Sequence, residues 1–165
     1  MWNRLRIGSG IDAHAFEEGR ELWIGGVQIP FKKGLAGHSD ADVLIHAVVD
    51  AILGAMGGGD IGTHFPSSDP KWAGVSSTEF LSWTRNELQR SSYELISLDV
   101  VVIAQEPKLA LHIPQIRERM CELLGLSLSR LSVKATTTDF LGFVGRKEGI
   151  VAQAHCLLLA PESRD

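Results

Sequence analysis

The step Asp12-Ala13-His14 and the downstream His46 are the residues best suited to hold a metal ion. Residues 4 to 14 read as a strand, where side chains two apart project on the same side. Asp12 and His14 then face one way, at its polar end. His46 falls on the first expected helix, one turn beyond Asp42. One carboxylate and two imidazoles make a zinc shell that leaves a fourth tetrahedral position open to water or substrate. The same residues also read as ordinary structure, since Asp-x-His is a common step and a helical histidine is often packed or capping.

Gly37-His38-Ser39-Asp40-Ala41-Asp42 lies between them. A histidine and a serine at a helix start suit an anion, because first-turn amides point outward and the helix dipole favours negative charge. Capping alone explains the same run, with Ser39 as N-cap and Asp42 completing a variant capping box. Further on, Lys134-Ala135-Thr136-Thr137-Thr138-Asp139 ends a strand. Its hydroxyls and carboxylate can grip phosphate and a hard cation such as magnesium, although threonine is also a good strand former. The glycine-punctuated run Gly142 to Gly149 carries Arg146, Lys147 and Glu148, and reads equally as an exposed hairpin connection. Two nucleotide motifs are rejected. Gly8-x-Gly10-x-x-Ala13 fits a dinucleotide fingerprint, but Glu17-Glu18-Gly19 comes too soon for the helix that motif requires. Gly57-Gly58-Gly59 lacks the Gly-Lys-Ser/Thr of a P-loop.

The elements that position these residues belong to one α+β domain spanning residues 1–165, with no repeat, low-complexity tract or linker. Beyond the opening strand, Leu22 to Ile29 reads as a second strand, with residues 17–20 supplying a turn that can pair the two as a hairpin. Leu95 to Ala104, Leu131 to Thr137 and Ile150 to Leu159 read as further strands. Helices are expected from Asp40 to Met56, from Thr78 to Arg90 with Ser76 and Glu79 spaced as a capping box, and from Pro114 to a stop at Gly125. Mixed strands and helices imply a mixed β-sheet with helices packed on one face. A net charge of −4 and a pI near 5.8 argue against non-specific nucleic-acid binding. The absence of a long apolar run argues against a membrane span. No secretory or transit character is read in the first residues, and Cys121 and Cys156 lack metal-ligand spacing, so a reduced cytoplasmic protein is expected.

Taken in order, Asp12-x-His14, Gly37-His38-Ser39-Asp40-x-Asp42 ending at His46, Gly59-Asp60-Ile61-Gly62, Phe65-Pro66-x-x-Asp69-Pro70, Ala104-Gln105-x-Pro107-Lys108, Ile113-Pro114, Val133-Lys134-Ala135-Thr136-Thr137 and Gly142-Phe143-x-Gly145-Arg146-x-Glu148-Gly149 span nearly the whole chain. The set resembles the 2-C-methyl-D-erythritol 2,4-cyclodiphosphate synthase family of the non-mevalonate isoprenoid pathway. That resemblance implies a homotrimeric lyase with active sites between subunits, turning 4-diphosphocytidyl-2-C-methyl-D-erythritol 2-phosphate into the cyclic diphosphate and CMP. It implies zinc on Asp12, His14 and His46, and magnesium or manganese at Asp139, bridging the substrate phosphates. His38 and Thr137 resemble the transition-state stabilisers. Asp60, Ile61 and Gly62, and Phe65 through Asp69, would line the erythritol side, and Ser39 would also bind substrate. The run Ala104 to Ala110, with Pro107, Lys108 and Leu109, together with Ala135, Thr136 and Thr137, would hold the cytidine and its phosphates from the adjacent subunit. Phe143 and Arg146, beside Glu148, resemble residues around a central trimer cavity able to take an isoprenoid diphosphate.

Three positions depart from the family pattern. Asp139 stands where glutamate is usual, Ser67 replaces a common aspartate, and Gly57-Gly58-Gly59 replaces an alanine-rich segment, which implies a mobile loop over the erythritol pocket. Two rival functions fit the residues: a zinc hydrolase using metal-bound water on a phosphoester, and a trimeric module that binds isoprenoid diphosphates through Phe143 and Arg146.

Overall fold

The computed structural model describes residues 2–162; the ends of the expected 1–165 domain lie outside them. The elements follow in the order β1 (Leu5–Glu18), β2 (Leu22–Ile24), β3 (Val27–Ile29), β4 (Lys33–Leu35), α1 (Val43–Met56), α2 (Ile61–His64), α3 (Ser77–Arg90), β5 (Glu94–Ile103), α4 (Ile113–Leu124), β6 (Leu131–Thr136), α5 (Gly142–Gly145) and β7 (Gly149–Leu159). One mixed sheet has the strand order β4-β1-β7-β5-β6. β5 and β6 run parallel, with α4 as their crossover, and the other neighbours are antiparallel. This is the expected single-domain α+β arrangement of a mixed sheet with helices.

Alternation in β1 sets up the site. Gly8, Gly10, Asp12 and His14 point to the helix side, while Ile7, Ser9, Ile11 and Ala13 point outward and are exposed. β7 pairs along almost all of β1, from Leu5 opposite Leu159 to Ala15 opposite Gly149. Its Ala152, Ala154, Cys156 and Leu158 are buried on the same helix side. α1 lies across this floor and is apolar all round, with only Asp50, Gly54 and Met56 not buried. Such a helix must be covered on both sides, here by the sheet below and α3 above.

Gly8 and Gly10 are needed for that contact. A Cβ on Gly8 would lie 1.7 Å from the Ala51 carbonyl oxygen, and one on Gly10 would lie 2.0 Å from that of Ala47. The paired glycines that mimic a nucleotide motif therefore form a bed for α1, and the strand runs straight on to Glu18 without a following helix.

Leu22 to Ile29 departs from expectation. It is two short strands folded on each other, with Leu22 opposite Ile29, and it does not pair with β1. Gly25 and Gly26 adopt φ of 61° and 73°, the two left-handed residues that a tight hairpin requires. Their amides donate to the Asp42 carboxylate at 2.9 and 2.7 Å. Asp42, and not Ser39, is the N-cap of α1, accepting also from the Ile45 amide at 3.1 Å. One buried carboxylate thus ties the hairpin to the start of α1, which begins at Val43 and not at Asp40. The other ends follow the expected chemistry: Ser76 caps α3 by accepting from the Thr78 amide, and Gly125 ends α4 in the left-handed region.

Candidate active site

β1 supplies Asp12 and His14, and α1, resting on the glycine bed, lowers His46 onto them. Asp12 Oδ2 lies 2.8 Å from His14 Nε2 and 3.1 Å from His46 Nδ1, and the two nitrogens are 3.2 Å apart. Donor atoms about 2.0–2.2 Å from a tetrahedral ion lie about 3.3 Å from each other, so one carboxylate oxygen and two ring nitrogens are spaced to share a cation. Among the described residues this is the only group of three or more His, Cys, Asp or Glu side chains so arranged.

The electrostatics agree with a cation-ready site. Burial pushes the Asp12 pKa up, but hydrogen bonds from His14 and His46 outweigh it and hold the carboxyl well below its usual range. Burial pulls His14 down, but its hydrogen bond and charge interaction with Asp12 raise it overall. His14 Nδ1–H donates to the Ala36 carbonyl at 2.6 Å. A carbonyl oxygen only accepts, so the neutral His14 ring keeps its lone pair on Nε2, the atom facing Asp12 and His46.

The loop before α1 is pinned from both sides. Arg20 donates to the Gly37 and Ser39 carbonyls, and the Gly74 amide donates to the His38 carbonyl at 2.8 Å. The exposed His38 side chain and the buried Ser39 are thereby set at the rim and wall of a cavity of about 260 Å³ that contains the Asp12–His14–His46 cluster. Ile61, Gly62, Phe65, Ser67, Trp72 and Phe80 complete its lining. The Phe65 ring stacks against Phe80 with centroids 4.5 Å apart and meets Trp72 edge-on at 5.0 Å, so one wall is aromatic. Asp60 and Asp69 are not in this lining. Asp60 caps α2 through the Thr63 amide and hydroxyl, both at 2.8 Å. Asp69 caps the turn 70–72 and pairs with Lys71 at 3.0 Å.

A second cavity of about 330 Å³ opens where β5 and β6 end. Ala104, Gln105, Pro107, Lys108, Leu109 and Ala110 form one side, and Ala135, Thr136 and Thr137 the other. The two cavities share no lining residue. Asp139 stands just past the second one, exposed and at φ 50°, with Thr137 Oγ1 donating to its carboxylate at 3.4 Å. Phe143 is on the short α5, and Arg146 makes a two-point ion pair with Glu148, the closer contact at 2.8 Å.

Residues 5–159 match the sequence profile of the YgbB family. The chain belongs to the YgbB family. A curated relative from Geobacillus sp., 2-C-methyl-D-erythritol 2,4-cyclodiphosphate synthase, is 55% identical over 154 residues, covering 93% of this chain and 98% of that one. The fold superposes on an IspF–CDP complex from Plasmodium falciparum with a TM-score of 0.84 at 35% identity, over 98% of this chain and 100% of that one. It also matches the bifunctional IspDF of Campylobacter jejuni, with a TM-score of 0.91 at 42% identity over 96% of this chain. This chain spans only 43% of that longer protein.

Several residues of this YgbB-family site escaped the sequence reading. Trp72 and Phe80 line the cavity of the Asp12–His14–His46 cluster, while Gln105, inside the expected run from Ala104 to Ala110, lines the second. Gln105 also accepts the Phe140 amide at 3.0 Å, joining the two loops of that cavity. The buried Ser77 touches His46. Phe80 was read as a core position of α3; nothing in the spacing shows that the end of that core row faces a cavity. Gly57-Gly58-Gly59 begins as the capped end of α1. Gly57 is left-handed and donates to the Gly54 carbonyl at 3.1 Å, and Gly58 donates to that of Leu53 at 2.9 Å.

Proposed function

We propose that this chain closes 4-diphosphocytidyl-2-C-methyl-D-erythritol 2-phosphate into 2-C-methyl-D-erythritol 2,4-cyclodiphosphate and releases CMP, as a phosphorus–oxygen lyase of the non-mevalonate isoprenoid pathway. The observation that carries this reading is the convergence of Asp12, His14 and His46 inside a cavity, in a chain so similar to synthases of that name. The substrate's 2-phosphate attacks the β-phosphorus. A P–O bond forms there, the bond to the α-phosphate oxygen breaks, and CMP departs with the electron pair.

An anionic nucleophile of this kind needs no activated side chain. The two thiols fit that economy: both are buried, and burial pushes Cys156 up to about 11 and raises Cys121 as well. What the protein must do is align two mutually repelling phosphates, and such orientation can contribute about 7–11 kcal/mol. Asp12, His14 and His46 would hold zinc, and Asp139 would hold magnesium or manganese. These ions supply Lewis-acid neutralisation of the phosphate oxygens. His38 at the cavity rim and the Thr137 hydroxyl donate to the charge that builds during transfer. Ser39, Ile61, Gly62 and Phe65, with Asp60 and Asp69 nearby, face the erythritol, and the aromatic wall keeps water from the β-phosphorus. Ala104, Pro107, Lys108, Leu109, Ala110, Ala135 and Thr136 form the cytidine pocket, in line with the CDP bound in the Plasmodium falciparum structure.

The two half-sites come together between subunits of a cytoplasmic homotrimer in which residues 1–165 act as one domain. The outward face of β1 supports this assembly: Ile7 is 79% and Ile11 65% exposed, both on the strand face away from α1. Phe143 and Arg146 then surround the axis, where an isoprenoid diphosphate can bind. Incubation with the cytidyl substrate, zinc and magnesium in water labelled with oxygen-18 tests the reading. Equimolar CMP and an unlabelled cyclic diphosphate are expected. A linear product carrying the label would reject it in favour of a hydrolase.

A further inference from the structure

The buried chain Asp40–Ser77–His46 leads away from the metal cluster on the side opposite Asp12. His46 Nε2 lies 2.8 Å from Ser77 Oγ. The Ser77 hydroxyl in turn donates to Asp40 Oδ1. Asp40 is held in place to receive it, because its carboxylate also accepts from the Ser77 amide at 3.0 Å and the Asp42 amide at 3.1 Å. Ser77 is fully buried at the first turn of α3. Its side chain is therefore fixed between a carboxylate and an imidazole.

We propose that Ser77, oriented by Asp40, is a positioning residue that sets the tautomer of His46 and so makes it a metal ligand. A serine hydroxyl has one proton and two lone pairs. Its proton goes to the Asp40 carboxylate, so towards His46 it presents only a lone pair. His46 then carries a proton on Nε2, which leaves Nδ1 as the nitrogen to give its lone pair to a cation shared with Asp12 Oδ2 and His14 Nε2. The bond made by the far ring nitrogen decides which nitrogen is free for a metal. Ser39 Oγ, 3.2 Å from the same Nε2, accepts the Ala41 amide, and its own proton can reach the second Ser77 lone pair, Oγ to Oγ 3.5 Å. His14 is set by the Ala36 carbonyl on the other side of the cluster. Two unrelated acceptors, a backbone carbonyl on the approach to α1 and a hydroxyl on α3, thus turn two ring lone pairs onto one point. The role also explains why α3 matters to a site to which it gives no metal ligand.

This inference rests on the reading of Asp12, His14 and His46 as the metal site, and the test separates the two. Nitrogen-15 NMR of the zinc-free protein reads the His46 tautomer without any metal or activity. The expected result is a proton on Nε2 in the wild type, and a shift towards the Nδ1–H form in Ser77→Ala. Zinc affinity, measured by competition with a chelator, is expected to fall about tenfold or more in Ser77→Ala, in the range lost when a supporting partner of a ligand is removed. A wild-type Nε2 without a proton, or an unchanged tautomer and zinc affinity in a folded Ser77→Ala protein, would overturn the proposal and leave the metal site standing. A wild type that binds no zinc would overturn both.

Discussion

Gly10 and Ala47 meet backbone to backbone: a Cβ on Gly10 would sit 2.0 Å from the Ala47 carbonyl oxygen. Ala47's neighbour on the N-terminal side is His46 itself, so this contact sets how deeply the imidazole reaches towards Asp12. Gly10→Ala is expected to force α1 off the sheet, destabilising the fold by about 1–3 kcal/mol or more and weakening zinc binding together with it. Gly54, in the same helix, has no atom closer than 4.0 Å to its virtual Cβ. Gly54→Ala is expected to stabilise by about 0.5–1 kcal/mol with zinc binding unchanged. Urea denaturation and zinc titration of both variants check the contrast.

The acid–base properties of the cluster give a pH dependence whose sign changes with metal. Burial lowers the His14 pKa, but Asp12 more than offsets it, so the folded value stands above 6.5. That contribution to stability is full below 6.5 and is lost as pH rises through the raised value. Asp12, depressed by the two histidines against burial, contributes above 3.8 and loses its contribution only as pH falls through the lowered value. The metal-free protein is therefore expected to melt at a lower temperature as pH rises above about 6.5. The zinc-loaded protein is expected to gain, because His14 must lose its proton to bind. Melting curves across this range, with chelator and with zinc, show whether the two slopes oppose each other.

Asp139 is a methylene shorter than the glutamate usual at its position, and its only side-chain partner among the described residues is Thr137. Asp139→Ala is expected to raise the magnesium needed for half-maximal turnover while zinc content stays at the wild-type level. A magnesium titration of activity, with metal analysis of the purified variant, measures both. Loss of zinc before any change in magnesium dependence would contradict the assignment.

Ile11 stands outward on β1, on the strand face opposite Asp12's. Ile11→Lys is expected to break the proposed homotrimer into monomers by placing charge in an apolar interface, and to abolish turnover with the metal cluster intact. Sedimentation analysis beside zinc titration separates these effects. A trimer that survives the substitution would argue against this face as the contact.

Legibility from sequence followed the range of the interactions. The two-residue period of a strand is local, so Asp12 and His14 could be placed on one side from their spacing alone. The position of His46 opposite them depends on α1 settling on Gly8 and Gly10, a contact between distant segments, and those glycines looked instead like a nucleotide motif. Leu22 to Ile29 read as one strand because its apolar residues outweighed Gly25-Gly26; the double glycine was the turn signal. Asp42 was expected only as the partner of a Ser39 cap. A carboxylate that takes amides from a hairpin as well as from its own helix cannot be read from a four-residue window. Asp40 and Ser77 belong to different elements, and nothing in either local pattern shows that the two meet behind His46.

Crystals grown with zinc and measured at the zinc absorption edge test the central claim most directly. A single strong anomalous peak is expected within bonding distance of Asp12 Oδ2, His14 Nε2 and His46 Nδ1. Full zinc occupancy elsewhere on the chain, with none at this point, would contradict it.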